Sequence, residues 1–108
     1  MATVAVIGLG LMGSSFALAL KETGNHVVVG SDRDPRVARK ALDRGIVSSA
    51  ASDISIVEIA DVVVLALPIR AMRETLNGLR GRIAGKAVTD MASTKARVMP
   101  GQRVRKQD

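Results

Sequence analysis

Cysteine, tryptophan and tyrosine are absent from this chain of 108 residues, and phenylalanine occurs once, at Phe16. Without thiols there is no disulfide framework and no thiolate metal site. Without a set of stacking rings, a platform for single-stranded nucleic acid has nothing to build on. Long hydrophobic runs are missing too: Ile59 to Leu67 is broken by Asp61 and falls well short of the roughly 20 residues that a membrane-spanning helix requires. The N-terminus shows no basic leader and no small-residue cleavage site, so neither an export signal nor a membrane partner is expected, and the expected location is cytoplasmic.

A formal charge of +6 invites a nucleic-acid reading, but its distribution argues against one. About half the excess lies in the last thirteen residues, where Arg97, Arg103, Arg105 and Lys106 stand against Asp108. Elsewhere basic and acidic residues alternate as on ordinary solvated helix faces, so no nucleic-acid partner is expected. What remains is a hydrophobic share of 47% in short runs separated by charge, with a mean hydropathy of +0.22. That is the composition of a globular chain long enough for one domain with one core.

Along the chain, short β-branched runs alternate with stretches of helical period. TVAVIG at residues 3–8 reads as a strand buried on both faces. Leu11, Met12, Phe16, Ala19 and Leu20 then recur at helical spacing until Gly24 stops them. His26 to Gly30 is a second strand, and Asp34-Pro35 opens a second helix with a capping carboxylate and a proline in the first turn. Its apolar stripe is Val37, Ala38, Ala41 and Leu42, and Gly45 ends it. Ile46-Val47 is a short candidate strand, and Ser52 or Asp53 caps a brief helix reaching Ile59. Asp61 to Leu67 is the strongest strand and is predicted to lie centrally, closed by Pro68, which cannot donate to a ladder. A helix from Ile69 to Leu79 and a strand from Lys86 to Asp90 follow, with Ser93 as cap of a last helix towards Met99. Such alternation predicts right-handed crossovers and an α/β, doubly wound, mostly parallel sheet of the Rossmann type in a single domain. Residues 1–98 form that domain, and the basic tail 99–108 is expected to fray.

The first strand and first helix are joined by Gly8-Leu9-Gly10-Leu11-Met12-Gly13, a G-x-G-x-x-G pattern. The pattern is weak alone, but between a strand and a helix it argues for a dinucleotide site. Gly8 permits the tight turn, Gly10 removes a side chain from the path of a diphosphate, and Gly13 lets the helix approach the strand. Unpaired amides at the start of the Leu11 helix, with about half a positive charge from its dipole, suit the anion. Asp32 lies 19 residues after Gly13, at the end of the second strand, where its carboxylate can accept from both ribose hydroxyls. That favours NAD over NADP, whose 2′-phosphate the same carboxylate repels. Arg33 softens the preference by offering a phosphate partner, or lies over the adenine.

Leu67 and Pro68 end the central strand and place backbone beside the nicotinamide half, since ligands sit beyond the carboxyl ends of parallel strands. Asp90 to Lys95 (DMASTK) lies on the same rim, with hydroxyls and a lysine suited to an anionic substrate or the nicotinamide amide. His26 has the chemistry of a general base. It stands at the opposite edge of the sheet, however, and reads as a surface loop residue.

The combination VAVIGLGLMGSSFALAL, GSDRDP, ADVVVLALP and TDMASTK resembles the nucleotide-binding domain of the prephenate and arogenate dehydrogenases of tyrosine biosynthesis, over residues 3–98. The resemblance implies oxidation of the ring alcohol of prephenate or arogenate by NAD or NADP, with loss of carbon dioxide. It implies that Gly8, Gly10 and Gly13 hold the pyrophosphate and Asp32 selects the ribose. It also implies that Ser93 is a catalytic serine near the nicotinamide and the substrate hydroxyl, and that Lys95 has a structural or electrostatic part.

Members of that family continue into a histidine segment that supplies the base and a helical domain that carries substrate arginines and most dimer contacts. This sequence contains neither, so the 108 residues alone are expected to turn over slowly, since losing a general base costs about 10² to 10⁴ in rate. Two other readings stay open: a non-catalytic NAD-binding or interaction module, and the cofactor domain of a β-hydroxyacid dehydrogenase, whose glycine loop is similar. A homodimer, or a partner supplying a helical domain, would cover the apolar surface such a unit exposes.

Overall fold

A computed structural model describes residues 2–91. Five strands, β1 (Ala2–Ile7), β2 (His26–Ser31), β3 (Ser49–Ala51), β4 (Val62–Leu65) and β5 (Ala87–Asp90), form one sheet in the order β3-β2-β1-β4-β5. All four pairings are parallel. Parallel neighbours require crossovers, and here these are α1 (Leu11–Glu22), α2 (Pro35–Asp43), a 3₁₀ helix (Ile54–Ile59) and α3 (Ile69–Leu79).

Because side chains alternate across a strand, the sheet feeds two cores. On one face Ala5, Ile7, Val29, Val63 and Leu65 pack with Val57 of the 3₁₀ helix and Leu79 of α3. On the other, Val6 and Val28 pack with Ala17 of α1 and Ala41 of α2, backed by Phe16 and Leu20. Val6, Val63 and Leu65 are sealed from solvent, and full burial of such a side chain stabilises by about 1.5–3 kcal/mol. This is the expected single-domain, doubly wound α/β fold of Rossmann type. β4 lies inside the sheet between β1 and β5, as predicted, with β1 at the middle.

α1, α2 and α3 span the expected residues, and Asp34 caps α2 by accepting from Arg36 N–H, with Pro35 in its first turn. Asp53, not Ser52, caps the short helix, which is 3₁₀, by accepting from Ser55 N–H. Three expectations need correction. The third strand is Ser49–Ala51, not Ile46-Val47. Val47 is instead buried in the core, and the ladder starts two residues later, at the pair Val29–Ser49. The inward face of α1 is Gly13 and Ala17 with Phe16 and Leu20, while Leu11, Met12 and Ala19 face outward; Leu42 of α2 is likewise exposed. Small residues face inward because α1 lies close on the sheet. His26 is the first residue of β2, paired with Ala2, not a loop residue. It is half-buried, and its Nδ1 is enclosed without a hydrogen-bond partner. The expected helix after Ser93 and the tail 99–108 lie outside the described residues.

Candidate functional site

At the carboxyl edge of the sheet, the order in which strands are added reverses between β1 and β4: the crossover after β1 leads to β2, whereas β4 is reached from β3 at the far edge. In an open parallel sheet that is where ligands bind. A cleft of about 450 Å³ lies there, lined by Ile7, Gly8 and Gly10 from the end of β1 and by Ser31 to Asp34 from the end of β2. Ser52, Asp53 and Ile54 enter after β3, Ala66 to Pro68 after β4, and Ala71 and Thr75 from α3. Every strand end from β1 to β4 thus contributes.

The three glycines behave differently. Gly8 has φ +101°, in the left-handed region, and a Cβ there would lie 2.4 Å from the carbonyl oxygen of Ala66. At Gly13 a Cβ would stand 1.8 Å from the carbonyl oxygen of Gly8, so only glycine lets α1 come this close to the loop. At Gly10 a Cβ would meet nothing within 4 Å, and no side chain caps the start of α1 that Gly10 opens. The first amides of a helix have no partner within it. The loop therefore presents bare N–H groups beside open space.

A hydrogen-bonded rim fixes this shape. Gly8 N–H donates to Ser31 O at 2.7 Å, and Ala66 N–H donates to Ile7 O at 2.8 Å. Leu9 N–H donates to Asp32 Oδ2 and Asp34 N–H to Asp32 Oδ1, both at 2.9 Å. Asp32 N–H donates to Ala51 O, and Ser31 Oγ donates to Asp53 O at 2.7 Å. A carboxylate has about four lone-pair sites, so Asp32 can brace the loop and still accept two hydroxyls from the cleft.

Of the residues singled out in the sequence, Gly8, Gly10, Asp32, Arg33, Leu67 and Pro68 meet around the cleft. Leu9 is buried in the core behind the loop, with its N–H committed to Asp32. Gly13 is buried, whereas Leu11 and Met12 are exposed on the first turn of α1. β4 ends at Leu65, not at Leu67, so Pro68 does not close the strand; instead its carbonyl accepts from Ala71 and Met72 at the start of α3. Ser93 lies outside the described residues. The guanidinium of Arg33 reaches across to α3 and pairs with Glu74 at 3.0 Å. Ser31 and Glu74 escaped the sequence reading, and Asp53 entered it as a helix cap, not as a cleft residue. Ser31 and Asp53 were recoverable from their place at strand ends, whereas Glu74, 41 residues from Arg33, carried no signal. The described residues contain no group of three or more His, Cys, Asp or Glu able to hold a metal, and no helix long and apolar enough to cross a membrane.

Fold, loop and cleft together define a nucleotide-binding domain of the Rossmann type. The chain belongs to the family described as prephenate dehydrogenase, nucleotide-binding domain, whose model matches residues 16–104. It is 35% identical over 102 residues to a prephenate dehydrogenase of Lactococcus lactis subsp. cremoris, covering 92% of this chain and 28% of that protein. Among solved structures it resembles prephenate dehydrogenase from Aquifex aeolicus in complex with hydroxyphenyl propionate and NAD+, with a TM-score of 0.77 and 35% identity. That match covers 83% of this chain and 33% of the other. It also resembles arogenate dehydrogenase from Synechocystis, with a TM-score of 0.74 and 34% identity over 84% of this chain and 33% of that one. The chain therefore spans about a third of the length of the relatives it matches.

Proposed function

We propose that this chain is the NAD-binding part of a dehydrogenase that oxidises prephenate or arogenate. The observation that carries the reading is the open space at Gly10, in front of an uncapped helix start and beside the Asp32 carboxylate. Those residues fit a dinucleotide. The amides of Gly10, Leu11, Met12 and Gly13 suit the diphosphate, and the two unused acceptor sites of Asp32 suit a vicinal diol. Leu67 and Pro68, on the far side of the cleft, are the proposed neighbours of the nicotinamide.

When bound, the nicotinamide accepts a hydride. The residues of this chain bind and orient. The glycine loop fixes the anionic linker, Asp32 fixes the ribose, and the sealed strand ends beneath hold both in register. Ser93 is proposed to meet the substrate hydroxyl, by resemblance to the family motif TDMASTK. The ring C–H bond supplies the hydride, the hydroxyl loses its proton to a base, and the carboxylate leaves as carbon dioxide while the ring becomes aromatic. By the same resemblance, the base and the arginines that bind substrate belong to the histidine segment and helical domain of such enzymes. A homodimer, or a partner bringing that domain, would cover the exposed Leu11, Met12 and Ile69. The proposed location is the cytoplasm.

Calorimetry with NAD+ and NADP+ tests the cofactor assignment. Tighter binding of NAD+ is expected, because the 2′-phosphate meets Asp32. Tighter binding of NADP+ would overturn it. Reduced-cofactor formation with prephenate or arogenate, by the chain together with the helical domain of such an enzyme, tests the reaction.

A further inference from the structure

One ion pair spans the mouth of the cleft. Arg33 follows Asp32 at the end of β2 and lines the cleft, whereas Glu74 lies on α3, between the lining residues Ala71 and Thr75. Arg33 Nη2 donates to Glu74 Oε1 at 3.0 Å, joining the two walls. Both side chains are 77% exposed, so the pair contributes little to the stability of the fold and is free to act on what enters. Next to Asp32, Arg33 is also the cation best placed to meet a phosphate on the ribose that Asp32 faces.

We propose that Glu74 is a specificity-determining residue: by holding the Arg33 guanidinium against α3, it keeps that cation from a 2′-phosphate and so favours the dinucleotide that lacks one. The pair must break before Arg33 can turn to a phosphate, so the effect acts through Arg33. In Glu74→Gln the partner's charge is gone and Arg33 is released. The inference rests on the dinucleotide reading of the cleft.

The test is titration of the full chain with NADH and with NADPH, followed by nicotinamide fluorescence, for the parent, Glu74→Gln, Arg33→Ala and the double variant. An exposed pair is worth up to about fivefold in an equilibrium constant, so Glu74→Gln should shift the affinity ratio towards NADPH by roughly threefold to fivefold. The shift should disappear in the Arg33→Ala background and shrink as salt is raised. An unchanged ratio in Glu74→Gln overturns the proposal. A shift that persists without Arg33 also overturns it, leaving only through-space repulsion by Glu74. Parent protein that prefers NADPH overturns it too, since Arg33 would already be engaged with the phosphate. Parent protein that binds neither nucleotide overturns the dinucleotide reading itself, an outcome distinct from binding with an unmoved ratio.

Discussion

Adding one methyl group at Gly10 and, separately, at Gly13 should divide binding from folding. At Gly13 the new Cβ would sit 1.8 Å from the carbonyl oxygen of Gly8, where real contacts do not fall below 3.0 Å. The obstacle is backbone at the base of a turn braced by Ser31 and Ala66, so α1 must retreat by over an ångström from the sheet. Forcing extra carbon into a packed interior costs about 1–3 kcal/mol, and this contact belongs at the upper end. At about 4–8 °C per kcal/mol for a domain of this size, Gly13→Ala should lower Tm by roughly 10–20 °C. At Gly10 the methyl enters open space with φ −70° and ψ −160°, an extended conformation that alanine adopts. The small loss of a favourable cap residue offsets the gain from a stiffer unfolded chain, leaving stability within about 1 kcal/mol of the parent. That methyl would instead occupy the proposed path of the diphosphate, weakening dinucleotide binding by about tenfold or more. Thermal unfolding by circular dichroism and calorimetry with NAD+ read the two effects separately. A Gly10→Ala protein that binds NAD+ as the parent does would refute the placement of the diphosphate. A Gly13→Ala protein of parental stability would refute the packing argument.

Asp32→Ala should do both kinds of damage at once. It strands two partly buried donors, Leu9 N–H and Asp34 N–H, at about 1–3 kcal/mol in urea unfolding, and it removes the acceptor for the ribose diol, lowering NAD+ affinity in calorimetry. Stability should also fall in acid. The Asp34 carboxyl is held below its ordinary value by the Arg36 side chain and N–H, and that of Asp53 by the Ser55 hydroxyl and N–H. A carboxyl whose folded pKa lies below its unfolded value stabilises fully above the unfolded value, and that stabilisation is lost as pH falls through the folded one. Urea unfolding followed from about pH 5 to pH 2 should therefore lose stability from about pH 4 downward. An Asp34→Asn/Asp53→Asn protein should show a flatter decline over the same window.

Much of this architecture can be read from residue order because local signals agree with one another. Asp34 and Pro35 mark the start of α2 and Pro68 that of α3, and the G-x-G-x-x-G turn announces its strand and helix. Expectation failed where tertiary contacts outvote composition. Ser49–Ala51 contains no β-branched residue, yet it forms β3 because β2 and the Asp32 N–H to Ala51 carbonyl bond hold it in register. Ile46-Val47 has the better strand composition and is spent on the core and the turn before it. Leu11 and Met12 match a helical stripe but point outward, since close approach at Gly13 selects small residues for the inner face. The cleft was legible through its glycines and Asp32. The ion pair at its mouth was not, because Arg33 and Glu74 meet only when β2 and α3 are set on either side of the switch point.

The most direct test of the central claim is a nuclear magnetic resonance titration of the isotopically labelled chain with NAD+, following backbone amides. The account predicts that the largest changes fall on Gly8, Gly10, Leu11, Met12 and Gly13, together with Asp32 and Arg33. It also predicts that Asn25 and His26, at the amino-terminal edge of the sheet, stay unmoved. Amides of the glycine loop that remain in place at saturating NAD+, or changes confined to another surface, would contradict it.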